Sequence, residues 1–224
     1  MAAATVERPV VIHADAGLNA DLAVPSPCRG VVVFAHGSGS SRQSTRNRTV
    51  AQTLQDAGFA TLLMDLLTID EERHDALGGR TRFDVELLAS RLTAARGWVD
   101  RQPELIDLPV GYFGASTGAA SALIAAAESA EPVAAIVSRG GRVDMAGARL
   151  SRVHCPVLLL VGGHDDVVLA LNRDALAHLP NAELAVVPGA THLFAEPGAL
   201  EVVAAQAREW FARHLSRRAP APPT

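Results

Sequence analysis

The stretch PVGYFGASTGAASALIAAA, residues 109–127, sets an apolar run, a Gly-Ala-Ser-Thr-Gly turn and an Ala-rich helical pattern in direct succession. A serine between glycines at the end of a buried strand and the start of a helix has a specific mechanical meaning. The tight turn forces strained backbone angles and close packing, so its neighbours must lack large side chains, and the serine Oγ is pushed out above the sheet. The string G-x-S-x-G is a weak signal alone; the strand-turn-helix context makes it strong, against the plainer reading of a tight turn with an incidental serine.

The rest of the chain supplies that context. Short apolar runs at 9–14, 18–24, 30–35, 59–65, 108–113, 133–138, 156–162 and 182–188 alternate with helical windows at 47–57, 81–101, 117–129, 169–179 and 198–216. From the third run onward the residues are nearly continuously apolar, as parallel strands covered on both faces require, whereas polar interruptions in the first two predict an antiparallel edge. In the last window Leu200, Val203, Ala207, Trp210, Phe211 and Leu215 form one apolar face that packs a final helix on the sheet. Alternation of this kind implies an α/β fold, a mostly parallel, doubly wound sheet of about eight strands flanked by helices, with ligands at the carboxyl ends of the strands.

A serine hydroxyl is a poor nucleophile near neutral pH, so Ser116 needs a base and a group to orient that base. The run 156–162 is followed by GHDDVV, which carries Asp165, and the run 182–188 by GATHLF, which carries His192. Both fall at the same edge of the inferred sheet as Ser116. The chain order Ser, Asp, His is that of the α/β-hydrolase arrangement. Asp166 and Asp144 are rival acids; Asp165 is preferred, with Asp166 read as the cap of a helix starting at Val168.

Negative charge on a tetrahedral intermediate needs donors, and FAHGSGSSR (34–42) follows the third strand, where the second oxyanion amide of such enzymes arises. The amides of Ser38 and Thr117 are assigned, with Gly37 as substitute for Ser38. His36 is expected to brace this loop. A zinc site of His36, His164 and Asp165 has no supporting ligand spacing, so no metal is assigned. Arg42, Arg46, Arg48, Arg139 and Arg142 fall in loops near strand carboxyl ends; Arg42, Arg46, Arg139 and Arg142 are candidate contacts for an anionic substrate, or else they pair with Asp65, Glu71, Glu72 or Asp144 and fix loops. The acidic run DEERHD (70–75) reads as a solvated loop beside the site.

Composition narrows the rest. With 224 residues, 49% apolar and 20% charged residues and a net charge of −4, the chain reads as one globular domain over 1–218 with a disordered Pro/Ala tail at 219–224. The composition excludes nucleic acid as a partner, and no run approaches a membrane span. Glu7 and Arg8 interrupt any secretory signal, so a cytoplasmic location is expected. Cys28 and Cys155 are read as unpaired structural thiols, and Trp98 and Trp210 as core residues.

On HGSGSSRQSTRN, GASTGAA, SRGGRVDMAG, VGGHDDVVLALN and PGATHLFAEPGALEVVAAQAREWF, spread over nearly the whole chain, the sequence resembles the α/β-hydrolase superfamily and within it the dienelactone-hydrolase-like branch. Similar proteins are hydrolases, some fused to phosphoribosyltransferase-like domains. The resemblance implies Ser116 as nucleophile, Asp165 as acid and His192 as base. Two departures stand out: members proper carry a cysteine where this chain has Ser116, and a glutamate in the loop after strand three that HGSGSSRQS lacks. The interval RGGRVDMAGARLSRVH after strand six has room for one small helix, so no substantial cap domain is expected and the cleft should be open.

The expected activity is therefore hydrolysis of carboxylic esters, lactones or thioesters with small or accessible acyl groups, without a cofactor. Its partner is a small-molecule ester-like substrate, anionic if the arginines bind it, with a homodimer left open. The rival readings are acyl transfer or cofactor-free perhydrolysis by the same residues, and a non-catalytic binding module on the hydrolase fold.

Overall fold

The apolar runs become strands whose two faces are both covered. In a computed structural model, which describes residues 4–215, the strands are β1 (Ala4–His13), β2 (Gly17–Ser26), β3 (Gly30–Ala35), β4 (Phe59–Met64), β5 (Val110–Ala115), β6 (Ile136–Arg139), β7 (Val157–Gly162) and β8 (Ala182–Val187). They form one sheet in the order β1-β2-β4-β3-β5-β6-β7-β8. The pairings of β1 with β2 and of β2 with β4 are antiparallel, and all others are parallel. The polar-interrupted first two runs are thus the antiparallel edge their composition predicts.

Alternation of side chains along each strand divides the core into two layers. Val31, Val33, Leu62, Tyr112, Ile136 and Leu159 face one side, covered by α3 (Val85–Val99) and α4 (Thr117–Glu128). Val32, Phe34, Leu63, Phe113, Val137 and Leu158 face the other, covered by α1 (Thr45–Asp56) and α6 (Ala199–His214). On α6 the stripe of Val203, Ala207, Trp210 and Phe211 is buried, as its spacing predicts. A last helix, α5 (Asp166–Leu176), follows β7.

Several local expectations need correction. The run DEERHD is helical, not a loop: α2 (Ile69–Ala76) is started by a capping box in which Thr68 accepts from the Glu71 amide and Glu71 accepts from the Thr68 amide. The window 81–101 divides at Asp84, which caps α3 by accepting from the Leu87 amide; a 3-10 turn, Thr81–Phe83, precedes it. Asp166 is the first residue of α5, and Asp165, not Asp166, occupies the capping position, without a side-chain cap bond. Arg46 lies in the first turn of α1 and Arg139 ends β6, so neither is a loop residue.

Between β6 and β7 the described residues hold only a kinked 3-10 segment, Val143–Arg152. No large cap is built there. The sheet end is bordered instead by the excursion between β4 and α3 that contains α2. Cys28 and Cys155 are unpaired, and burial pushes the Cys155 thiol up to about 12. The tail at 219–224 lies outside the described residues.

Candidate active site

Ser116 sits between the last residue of β5 and the first of α4 with φ 51° and ψ −121°, a conformation that costs a non-glycine residue free energy and is held only by its surroundings. Those surroundings leave no room for side chains. A Cβ on Gly114 would lie 2.5 Å from Ala119 Cα, and one on Gly118 would lie 2.2 Å from the Ala35 carbonyl oxygen. The two glycines of the motif therefore let the helix start against β3 and β5, and Ser116 is left partly exposed above the sheet. The Arg142 and Ala119 amides donate to the Ser116 carbonyl, and the Ser116 amide donates to the Arg139 carbonyl at 3.2 Å, which ties the turn to the end of β6.

His192 and Asp165 meet. His192 Nδ1 is 2.6 Å from Asp165 Oδ2. A carboxylate accepts this bond, so Nδ1 is its donor, and in the neutral imidazole Nε2 then keeps its lone pair. The Asp165 side chain is largely buried while His192 is half-exposed. Three features fix the loop between β8 and α6: Phe194 is buried at positive φ, its amide donates to the Thr191 carbonyl, and the Thr191 hydroxyl donates to Glu196 at 2.5 Å. That bond also holds the Glu196 carboxyl below the usual range. The imidazole lies over Gly140, whose added Cβ would be 3.4 Å from Nδ1. Ser116 Oγ makes no hydrogen bond to Nε2 in this resting arrangement; such bonds are often long until substrate binds. The rival acid Asp144 is taken up by a bidentate pair with Arg142, at 2.9 and 2.8 Å. His164 is exposed.

The loop after β3 packs directly on the serine: a Cβ on Gly37 would meet Ser116 Cβ at 2.9 Å. His36 braces it, with Nδ1–H donating to the Gly37 carbonyl and Nε2 accepting from the Leu66 amide, each at 2.9 Å. Burial holds this imidazole below the ordinary histidine range, consistent with the acceptor role of Nε2. The Ser38 amide, expected to be open, donates at 2.9 Å to the Thr117 hydroxyl. The Thr117 amide makes no hydrogen bond among the described residues, as for any first-turn helix N–H.

The four candidate arginines divide into two pairs. Arg42 is engaged by Asp65 through both its backbone amide and its guanidinium, with Asp21 at 3.5 Å, and Arg142 by Asp144. Arg46 and Arg139 pair with no carboxylate among the described residues, and Arg46 Nε, Arg139 Nε and Arg139 Nη1 are buried without partners. Burial, with the charge of Arg46 adding to it, pushes the Arg139 guanidinium down to about 10.

A cleft of about 320 Å³ opens beside Ser38, walled by Gly37, Ser40, Leu67, Glu72, Arg82 and Leu88. Burial and the charge of Asp65 raise the Glu72 carboxyl above its usual range. The contribution of α2 to this wall was not legible as such: six of its eight residues are polar, and only the Thr68–Glu71 spacing signals a helix start. Asn172 was missed altogether. Fully buried on α5, it donates to the Gly141 carbonyl at 2.9 Å and so holds the turn beneath His192.

Comparison with known proteins agrees with this architecture. Residues 16–216 match the family described as the dienelactone hydrolase family. The crystal structure of dienelactone hydrolase from Anabaena variabilis superposes with a TM-score of 0.91 at 52% identity, covering 94% of this chain and 99% of that one. Est1E from Butyrivibrio proteoclasticus shares the fold, with a TM-score of 0.77 at 18% identity over 92% of this chain and 98% of its own. A Mycobacterium tuberculosis protein provisionally named a phosphoribosyl transferase is 60% identical over 195 residues, 87% of this chain; the chain spans only 43% of that relative's length.

Proposed function

Because this chain belongs to the dienelactone hydrolase family, we propose that it is a serine hydrolase of carboxylic esters, lactones or thioesters with small or accessible acyl groups, acting through Ser116, His192 and Asp165. The observation that carries the reading is the pairing of a strained, solvent-facing serine with a histidine whose Nδ1 is committed to a carboxylate at 2.6 Å. A histidine held in that tautomer has Nε2 free to take a proton.

His192 Nε2 removes the Ser116 Oγ proton as Oγ attacks the acyl carbon. Asp165 fixes the ring and stabilises the imidazolium that forms. The Thr117 amide receives the developing oxyanion, and the Ser38 amide joins it once the Thr117 hydroxyl releases it, so that the charge meets two backbone donors. Collapse of the tetrahedral species expels the alcohol or thiol, which takes the proton from His192. Water, deprotonated by the same imidazole, then attacks the acyl-enzyme and regenerates Ser116.

The substrate group next to the oxyanion loop enters the cleft beside Ser38. Its wall mixes serine hydroxyls, Leu67 and Leu88 with Glu72 and Arg82, so a compact group bearing hydroxyl or carbonyl functions fits it. The test is rapid mixing with 4-nitrophenyl acetate: a stoichiometric burst of nitrophenolate followed by slower turnover is expected. A chain that releases no nitrophenolate above the rate of its Ser116→Ala variant contradicts the reading.

A further inference from the structure

We infer that Asn172 is a positioning residue for the nucleophile: its buried carboxamide orients the peptide that joins Gly141 to Arg142, and through that peptide fixes the strained backbone of Ser116. The word nucleophile rests on the hydrolase reading above; the tie between Asn172 and the Ser116 turn does not.

The link consists of two hydrogen bonds through one rigid unit. Asn172 Nδ2 donates to the Gly141 carbonyl at 2.9 Å, and the Arg142 amide donates to the Ser116 carbonyl at 3.0 Å. The Gly141 C=O and the Arg142 N–H belong to the same peptide group, which is planar. Whatever sets the direction of its oxygen therefore sets the direction of its N–H. No backbone amide among the described residues donates to the Gly141 carbonyl, so the Asn172 side chain is what holds that oxygen.

The peptide needs a hold from outside because the turn that carries it is loose. Gly140 and Gly141 stand in succession, and Gly140 has φ 53°. A Cβ at Gly141 would lie 2.0 Å from Ser138 Oγ, so no side chain can stiffen the backbone there. Without a Cβ many backbone conformations are open, and an untied peptide in this turn is free to rotate. Ser116, by contrast, must keep φ 51° and ψ −121°, a conformation that persists only where its neighbours over-determine it. Its amide donates to the Arg139 carbonyl, and its carbonyl accepts from the Arg142 and Ala119 amides. Residues on both sides of the glycine pair thus grip the serine.

Asn172 has the properties of such an anchor. It is fully buried within α5, where asparagine is a poor helix former and packing alone favours an apolar residue. Both N–H donors of Nδ2 are used, the second on the Val168 carbonyl at 2.8 Å, while Oδ1 is buried without a partner. An apolar side chain would carry no such unpaired oxygen, so what the asparagine supplies is the donor. Val168 lies in the first turn of α5, whose capping position is Asp165. One side chain therefore joins the turn behind Ser116 to the helix that starts at the acid, and Gly140 of that turn lies under His192.

The experiment compares wild type with Asn172→Leu, Asn172→Ser and, as a control, Ala175→Gly, which weakens α5 one turn further along without touching the turn. Leucine fills the site but donates nothing. Serine can return a bond to the Val168 carbonyl, as hydroxyls in helices do, but its shorter arm does not reach Gly141. Both Asn172 variants should lower kcat for 4-nitrophenyl acetate by about 10–100-fold with KM little changed, the effect of a misplaced reacting group. In amide hydrogen exchange followed by NMR, the Arg142 and Ser116 amides should exchange about tenfold or more faster in both variants. Ala175→Gly should melt at a lower temperature yet keep the wild-type kcat and the wild-type exchange at these two amides. Faster exchange confined to the Asn172 variants, with no ester hydrolysis by wild type, keeps the tie and removes the hydrolase reading. Unchanged exchange at Arg142 and Ser116 in both Asn172 variants overturns the inference, whatever the hydrolase activity. So does an Ala175→Gly protein whose kcat and exchange change as much as theirs, because Asn172 would then act through helix stability alone.

Discussion

The Ser38 amide donates a 2.9 Å hydrogen bond to the Thr117 hydroxyl, so in the resting protein one expected oxyanion donor is held by the side chain of the residue that supplies the other. The arrangement satisfies a part-buried N–H until the substrate's oxygen competes for it. Thr117→Val removes the hydroxyl but neither amide. It should destabilise the fold by about 1–3 kcal/mol, the cost of leaving the amide unpaired, while kcat/KM stays within a few-fold of wild type. A fall of about 10²-fold or more, the loss typical of removing an oxyanion donor, would instead make the hydroxyl itself a donor to the transition state.

Gly140 and Gly147 form a matched pair for testing the seat of His192. Both have positive φ, 53° and 55°, but an added Cβ meets His192 at 3.3–3.5 Å only at Gly140; at Gly147 nothing lies within 4 Å. Each change to Ala should cost about 1–2 kcal/mol for the left-handed backbone. Gly140→Ala alone should also lower kcat, by up to about 10²-fold if the ring is displaced by the order of an ångström. Equal kcat in the two variants would show that the imidazole is not seated on this turn.

His36 gives the fold a pH dependence of known sign. Burial depresses its protonation in the folded chain, so the unfolded chain binds more protons over the window below the ordinary histidine value. Stability should fall as pH drops through about 6.5 and below. His36→Gln retains an acceptor for the Leu66 amide without the titration, and its melting temperature should change less between pH 7 and pH 5. A wild type and variant with parallel melting profiles over that range would contradict the assignment.

A second, more acid dependence comes from Arg91. Its hydrogen bonds hold the Asp15 and Glu71 carboxyls below their usual range. Their contribution is present above the ordinary carboxylate values, about 4 to 4.5, and is lost as pH falls through the lowered ones. The double variant Asp15→Asn, Glu71→Gln leaves the buried guanidinium without its charges. It should melt at a lower temperature than wild type at pH 7, with the difference shrinking as the pH is lowered toward 3. A difference that stays constant with pH would mean the pair acts through packing alone.

Much of this architecture is legible in the sequence because it depends on local patterns. Near-continuous apolar runs announce covered parallel strands, and Gly114, Ser116 and Gly118 between a run and an Ala-rich window announce the turn. Asp165 and His192 are legible because each follows its own strand, so their meeting is a consequence of the sheet order. What escapes is set by contacts distant in sequence. The pairing of Arg91 with Asp15 and Glu71, and the lack of a partner at Arg139, depend on which carboxylates the fold delivers. The capture of the Ser38 amide by Thr117 spans 79 positions. The helix at Ile69–Ala76 is too short and polar to show a periodic face, and its capping box is the one local signal it offers.

The most direct test of the account is intact-mass analysis after incubation with a fluorophosphonate, comparing wild type with Ser116→Ala. The arrangement of Ser116, His192 and Asp165 predicts a single phosphonyl adduct on wild type and none on the variant. An unmodified, folded wild type, or an adduct that survives in Ser116→Ala, would show that the strained serine is not the nucleophile.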